Sequence, residues 1–141
     1  MRYTVLFSIL LIAILTGCKK SKFQSTPSLK IKSVSTSVLP PNQDIEFTLS
    51  FTDAEGDLND SLYVEKNAIN CPAGSFSDHY TIPSFPTTKN EQGDIVVDFR
   101  YIDISPRCQE NDTAVFRFAI KDKANHVSDT VSTSPIIIIS Q

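Results

Sequence analysis

The chain has 141 residues, 13 Lys and Arg against 16 Asp and Glu for a formal net charge of −3, and three cysteines. That length suits one domain and leaves little room for two. The acidic balance excludes a sequence-independent nucleic-acid binder, which needs a basic surface for phosphates. The first segment is Arg2 followed by an apolar run from Val5 to Leu15, closed by Thr16-Gly17-Cys18 and followed by Lys19, Lys20 and Lys22. The run is too short for a membrane-spanning helix, which takes roughly 20 apolar residues, and its layout is that of a secretory signal.

Leu15-Thr16-Gly17-Cys18 resembles the lipobox of bacterial lipoproteins, an aliphatic residue, two small positions and a cysteine. The resemblance implies diacylglyceryl attachment to the Cys18 thiol, cleavage after Gly17 and acylation of the new amino terminus, with palmitate-type chains in the bilayer. Several acyl chains anchor stably, whereas a single chain binds only marginally. The competing reading is a plain secreted protein with Cys18 as an unused thiol. Residues 1–17 are therefore expected to be a lipoprotein signal peptide. Residues 18–28, polar and containing Pro27, are expected to be the lipidated cysteine and a flexible tether.

Export leaves Cys71 and Cys108 in an oxidising compartment, where disulfides persist. They lie 37 positions apart, and closing such a loop stabilises a fold by about 4 kcal/mol on the chain-entropy model. A metal pair and a catalytic thiol are the alternatives. No CxxC spacing or histidine cluster supports the first, and nothing marks an activated thiol.

Residues 29–141 read as short strands between turns. Leu29–Val34 alternates apolar and polar residues, and Ile45–Phe51 places Ile45, Phe47, Leu49 and Phe51 on one face. A shorter strand is expected around Leu62–Val64. Residues 67–93 carry only weak β signals, at Phe76 and around Tyr80–Ile82. Ile95–Tyr101 and Ala114–Ile120 are strong strands, and Val127–Val131 and Ile136–Ile139 close the chain. Helical periodicity and capping signals are absent. About seven strands with regularly spaced turns predict an all-β fold, a single antiparallel immunoglobulin-like β-sandwich. The isoleucine run is expected to be paired and covered, since an exposed one would promote aggregation. Pro135 is expected at a bulge or at a switch between sheets.

Phe51-Thr52-Asp53-Ala54-Glu55-Gly56-Asp57-Leu58 resembles the B–C region of immunoglobulin-like and cadherin-like modules of bacterial surface proteins. Ile120 to Ser128 looks like their F–G turn, with Ala124 where glycine is usual. In that topology the two loops share one end. Asp53, Glu55, Asp57, Asp122 and Asn125 would then offer oxygen ligands to one calcium ion, which takes 6 to 8. Turn chemistry explains the same residue types without any ion. The first strand of such a sandwich starts at this same end, so the loops would face the membrane.

GxSxG, HExxH and phosphate-loop signatures are absent, and His79 and His126 read as exposed polar residues, so no enzyme is expected. Asp60-Ser61-Leu62, Asp112-Thr113-Ala114 and Asp129-Thr130-Val131 resemble the Asp-Ser/Thr-aliphatic O-glycosylation signal of some Gram-negative bacteria, which would modify Ser61, Thr113 and Thr130. The expected protein is a membrane-anchored cell-envelope lipoprotein, a non-catalytic structural or binding module for a protein or glycan partner. The alternatives are a calcium-stabilised adhesion-type domain and an accessory subunit of an envelope machine. The outer membrane is the expected location. Lys19, Lys20 and Lys22 favour its periplasmic face, because the surface-export signals of some lipoproteins are acidic.

Overall fold

A computed structural model describes residues 24–58, 61–83, 86 and 88–141; the leader, Cys18 and the Lys19–Lys22 segment lie outside them. The alternating segments form strands β1 (Ser28–Val34), β2 (Val38–Leu39), β3 (Asp44–Asp53), β4 (Ser61–Ala68), β5 (Phe76–Thr81), β6 (Glu91–Arg100), β7 (Asp112–Lys121), β8 (Val131–Ser132) and β9 (Ile136–Ile138), with a 3-10 turn at Pro72–Gly74 and an α-helical turn α1 (Tyr101–Ile104) among the described residues. One sheet has the order β1-β3-β6. The other has β2-β9-β7-β4-β5, with β8 also on β7. This is the expected immunoglobulin-like sandwich, with the opening strand divided between the sheets.

Period-two alternation builds the core. β3 turns Ile45, Phe47, Leu49 and Phe51 inward, and β7 turns Ala114, Phe116, Phe118 and Ile120 to meet them. Phe47 sits at the centre, its ring 4.8 Å from Phe116 and 5.2 Å from Phe118. Cys71 and Cys108 are disulfide-bonded with Cα atoms 5.7 Å apart. The bond ties the turn after β4 to the segment after α1.

Local expectations differ from the structure at four places. Tyr101 does not extend β6 but opens α1, where it is buried. Val127 makes only an isolated bridge with Lys121, and pairing resumes at Val131. β9 is paired on both sides, yet Ile137 faces outward at 42% exposure while Ile136 and Ile138 are buried. Pro135 does not switch sheets, since β8 and β9 both pair with β7 on either side of it. The sheet switch lies instead between β1 and β2, where β2 joins β9 in a parallel pair.

The pairing also orients the molecule. Ser28 opposes Thr52 and Asp53 opposes Glu91, so β1 and β6 begin where β3 ends. Ser61 opposes Lys121, bringing the β3–β4 loop and the loop after β7 to this same end. The disulfide, α1 and the end of β9 lie at the other.

Candidate functional site

Inward alternation does not stop with the hydrophobic residues. Two positions past Phe51 on β3 stands Asp53, two positions past Ile120 stands Asp122, and the inward face of β6 begins at Glu91. The carboxylates of one sandwich end are therefore placed by the strand geometry that places the core. Asp53 and Asp122 have no solvent exposure, and Glu91 retains 8%.

Asp53 organises the loop after β3. Its Oδ2 accepts the backbone N–H groups of Gly56 and Asp57, three and four residues on, at 2.9 and 3.0 Å. Gly56 has φ +70°, and a Cβ there would meet the Thr88 carbonyl oxygen at 2.0 Å, so only glycine fits. Asp122 organises the opposite loop, where its Oδ1 accepts the His126 backbone N–H at 2.8 Å and its Oδ2 lies 2.9 Å from His126 Nδ1. The left-handed residue of that turn is Asn125, at φ 71°, so alanine at 124 does not disturb it. The Asn125 N–H donates to the Asp122 carbonyl at 3.1 Å.

The loops converge as the sequence implies. Asp53, Glu55, Asp57 and Asp122 each offer a carboxylate oxygen, and these atoms lie within 4.8 Å of one another. Asn125 sits exposed on the rim. Two residues that the sequence does not mark as members of the site belong to it, and His126, expected as an exposed polar residue, is half-exposed and bonded to Asp122. Glu91 becomes visible only once inward parity is extended back from Phe99, and His126 only once the turn folds it onto Asp122.

The electrostatics are those of an acidic hollow. Burial, and then the charges of Asp122, Asp53 and Glu55, raise the Asp57 carboxyl above its ordinary value. Burial and the Asp53 charge do the same for Glu91. The hydrogen bond to Asp122 raises His126. Asp53 Oδ1, Asp57 Oδ1 and Glu91 Oε2 are buried without a hydrogen-bond partner.

The opposite end resolves the same problem internally. Inward Lys66 on β4 and inward Asp112 on β7, both wholly buried, form an ion pair at 3.4 Å. Lys66 Nζ also donates to the Ile104 and Gly74 carbonyls at 2.9 and 3.2 Å. Asp112 Oδ1 accepts the Asn70 and Cys71 N–H groups at 3.0 and 3.2 Å. Burial lowers the Lys66 ammonium below its ordinary value, and Asp112 opposes the shift. Lys66 is the one buried basic residue among those described.

The three residues of the glycosylation resemblance occupy different settings. Thr130 and Asp129 are both exposed on a loop, Thr113 follows the wholly buried Asp112, and Ser61 is half-buried at the start of β4 with Asp60 outside the described residues.

No protein-family model matches the chain, and no curated protein matches it. Among solved structures it is similar to the sporulation control protein Spo0M from Bacillus subtilis, with a TM-score of 0.51 and 8% identity over 84% of this chain and 51% of that one. The chain thus spans about half the length of Spo0M. It is also similar to a Niemann-Pick type C2 protein from the Japanese carpenter ant (TM-score 0.44, 6% identity, 86% of this chain and 98% of that one). A third likeness is to the CARDB domain of a Pyrococcus furiosus protein solved with di-metal ions (TM-score 0.39, 12% identity, 85% and 100%). The first likeness concerns fold alone, and the other two scores are too low to establish even that.

Proposed function

We propose that this chain is a lipid-anchored, non-catalytic binding module of a bacterial cell envelope, and that calcium braces the end of the sandwich nearest its anchor. One observation carries the calcium reading: Asp53 Oδ1 is buried without a partner inside a group of four converging carboxylates. Leaving a buried carboxylate oxygen unpaired is costly, and among the described residues no buried basic side chain offsets it as Lys66 offsets Asp112. A hard divalent cation bound by carboxylates meets that need. Asp53, Glu55, Asp57 and Asp122 are its ligands, and Asn125 supplies the turn that holds Asp122 in place.

The position favours bracing over capture of a distal ligand. Pro27 is buried, and the Gln24 carbonyl accepts the Ala54 N–H at 3.3 Å, so the chain entering β1 lies against the acidic loop. The anchor itself is proposed from the lipobox resemblance at Leu15–Cys18, and the Cys71–Cys108 disulfide suits an exported protein. The bilayer is reached through acylated Cys18, at the outer membrane with its periplasmic face favoured, and the partner is a protein or glycan. Of the three glycosylation candidates, Thr130 presents its motif to solvent.

Calcium titration with thermal unfolding tests the reading. At about 100 times Kd, binding to the folded state alone adds about 2.7 kcal/mol, so the melting temperature rises by several degrees, and Asp53→Asn abolishes the rise. An unchanged midpoint at millimolar calcium overturns it. Separately, Cys18→Ala abolishes labelling of the expressed chain by a fatty-acid analogue; persistent labelling removes the anchor.

A further inference from the structure

The acidic end brings together a second set of ligand atoms, one of them a nitrogen that calcium does not favour. Glu55, Asp122 and His126 bring ligand atoms within 4.8 Å of one another, as do Asp53, Glu55, Asp57 and Asp122. The two groups share Glu55 and Asp122. Beyond that shared pair lie two further carboxylates in one group and an imidazole in the other. His126 Nδ1 is hydrogen-bonded to Asp122 Oδ2 at 2.9 Å and lies 3.9 Å from Glu55 Oε2, so the ring nitrogen sits against two carboxylate oxygens that a metal would draw onto itself in place of the hydrogen bond.

We infer that this end is a two-cation site in which Glu55 and Asp122 bridge a calcium ion on the Asp53 and Asp57 side and a zinc ion on the His126 side. The first position rests on the calcium reading above; the second stands on its own donor set. Imidazole is a ligand for zinc and related metals, whereas calcium takes oxygen. A glutamate, an aspartate and a histidine give zinc three protein ligands of the types it accepts, and water completes its tetrahedron.

Charge points the same way. Four carboxylates carry four negative charges; one divalent cation offsets half of them and a second offsets the rest. The buried unpartnered Asp53 Oδ1 belongs to the first position. At the second, Asp122 is wholly buried and uses its Oδ1 to fix the His126 backbone, so the turn itself aims the imidazole.

The test is equilibrium dialysis of the metal-free full chain against calcium, zinc or both, with elemental counting of bound metal and circular dichroism to confirm folding. The expected result is one calcium, one zinc, and one of each when both are offered. His126→Ala weakens zinc by at least about tenfold and leaves calcium unchanged, whereas His79→Ala changes neither. Asp53→Asn weakens calcium and retains zinc. Zinc binding indifferent to His126, or zinc displacing calcium one for one, overturns the two-cation site. Calcium bound without zinc overturns this inference alone, and zinc held by His126 without calcium overturns both the bridge and the calcium reading.

Discussion

A carboxylate that folding removes from water binds its proton more tightly unless something positive stands beside it. Asp57 and Glu91 are raised in this way, and His126 is raised by its bond to Asp122. All three groups therefore hold protons more firmly in the folded chain than in the unfolded one. For His126 the stabilisation is full below its ordinary 6.5 and is lost as pH rises through the raised folded value. For Glu91 and Asp57 the protonated forms favour folding fully below 4.5 and 3.8, and that benefit is lost as pH climbs through their raised values. The paired surface carboxyl of Asp103 is lowered instead, and acts only below 3.8. As the pH falls from 7 towards 5 His126 takes up its proton first, and Glu91 and Asp57 act with the same sign as the pH falls through their own raised values. Without divalent cations the melting temperature should rise on acidification across that window, and saturating calcium should flatten the trend; a fall on acidification in chelator contradicts the account.

Parity along a strand reveals most of the element-scale pattern and also misleads. The apolar alternation of Ile45–Phe51 and Ala114–Ile120 made β3 and β7 legible, because two faces of a strand meet two different media. Asp53, Lys66, Asp112 and Asp122 continue the same inward faces, yet only Asp53 and Asp122 stand out in the sequence, as calcium ligands or turn formers, and none of the four reads as buried, since charged residues are rarely buried without partners. Counting by two along each inward face locates all four. β5 was less legible because its residues lie on an edge and are mostly exposed, which leaves no apolar face to detect. α1 was invisible because one helical turn is too short for periodicity. The Lys66–Asp112 pair also supports an energetic prediction. Lys66→Met leaves a buried carboxylate uncompensated and should cost about 3 kcal/mol in urea unfolding. Asp112→Asn in the same chain removes the charge while keeping an acceptor for the Asn70 and Cys71 N–H groups, and should recover a large part of the loss. An additive or larger cost in the double variant would show that the pair does not act as a charge couple.

At the scale of the whole molecule, the sandwich places its two buried charge systems at opposite ends: a neutral ion pair beside the disulfide, and an acid-rich hollow beside the start of β1. The fold class and the meeting of the two acidic loops were legible in sequence. The division of the opening strand between sheets was not, because Ser35–Ser37, where it occurs, carries no turn signal stronger than its serines. That division has a mechanical consequence. The chain enters at the acidic end through β1 and passes into β2, whereas β9 runs out towards the opposite end alongside β2 in a parallel pair. Ile137 and Ile139 donate to the Ser37 and Leu39 carbonyls at 3.0 and 2.9 Å, and the Tyr101 hydroxyl holds the Ile139 carbonyl at 2.7 Å. Tension between an anchor before β1 and a partner gripping the far end would slide β2 along β9 and β1 along β3, so the hydrogen bonds of each pair would share the load at once instead of opening one by one. A module tethered this way resists pulling along its long axis more than its few short edge pairings suggest.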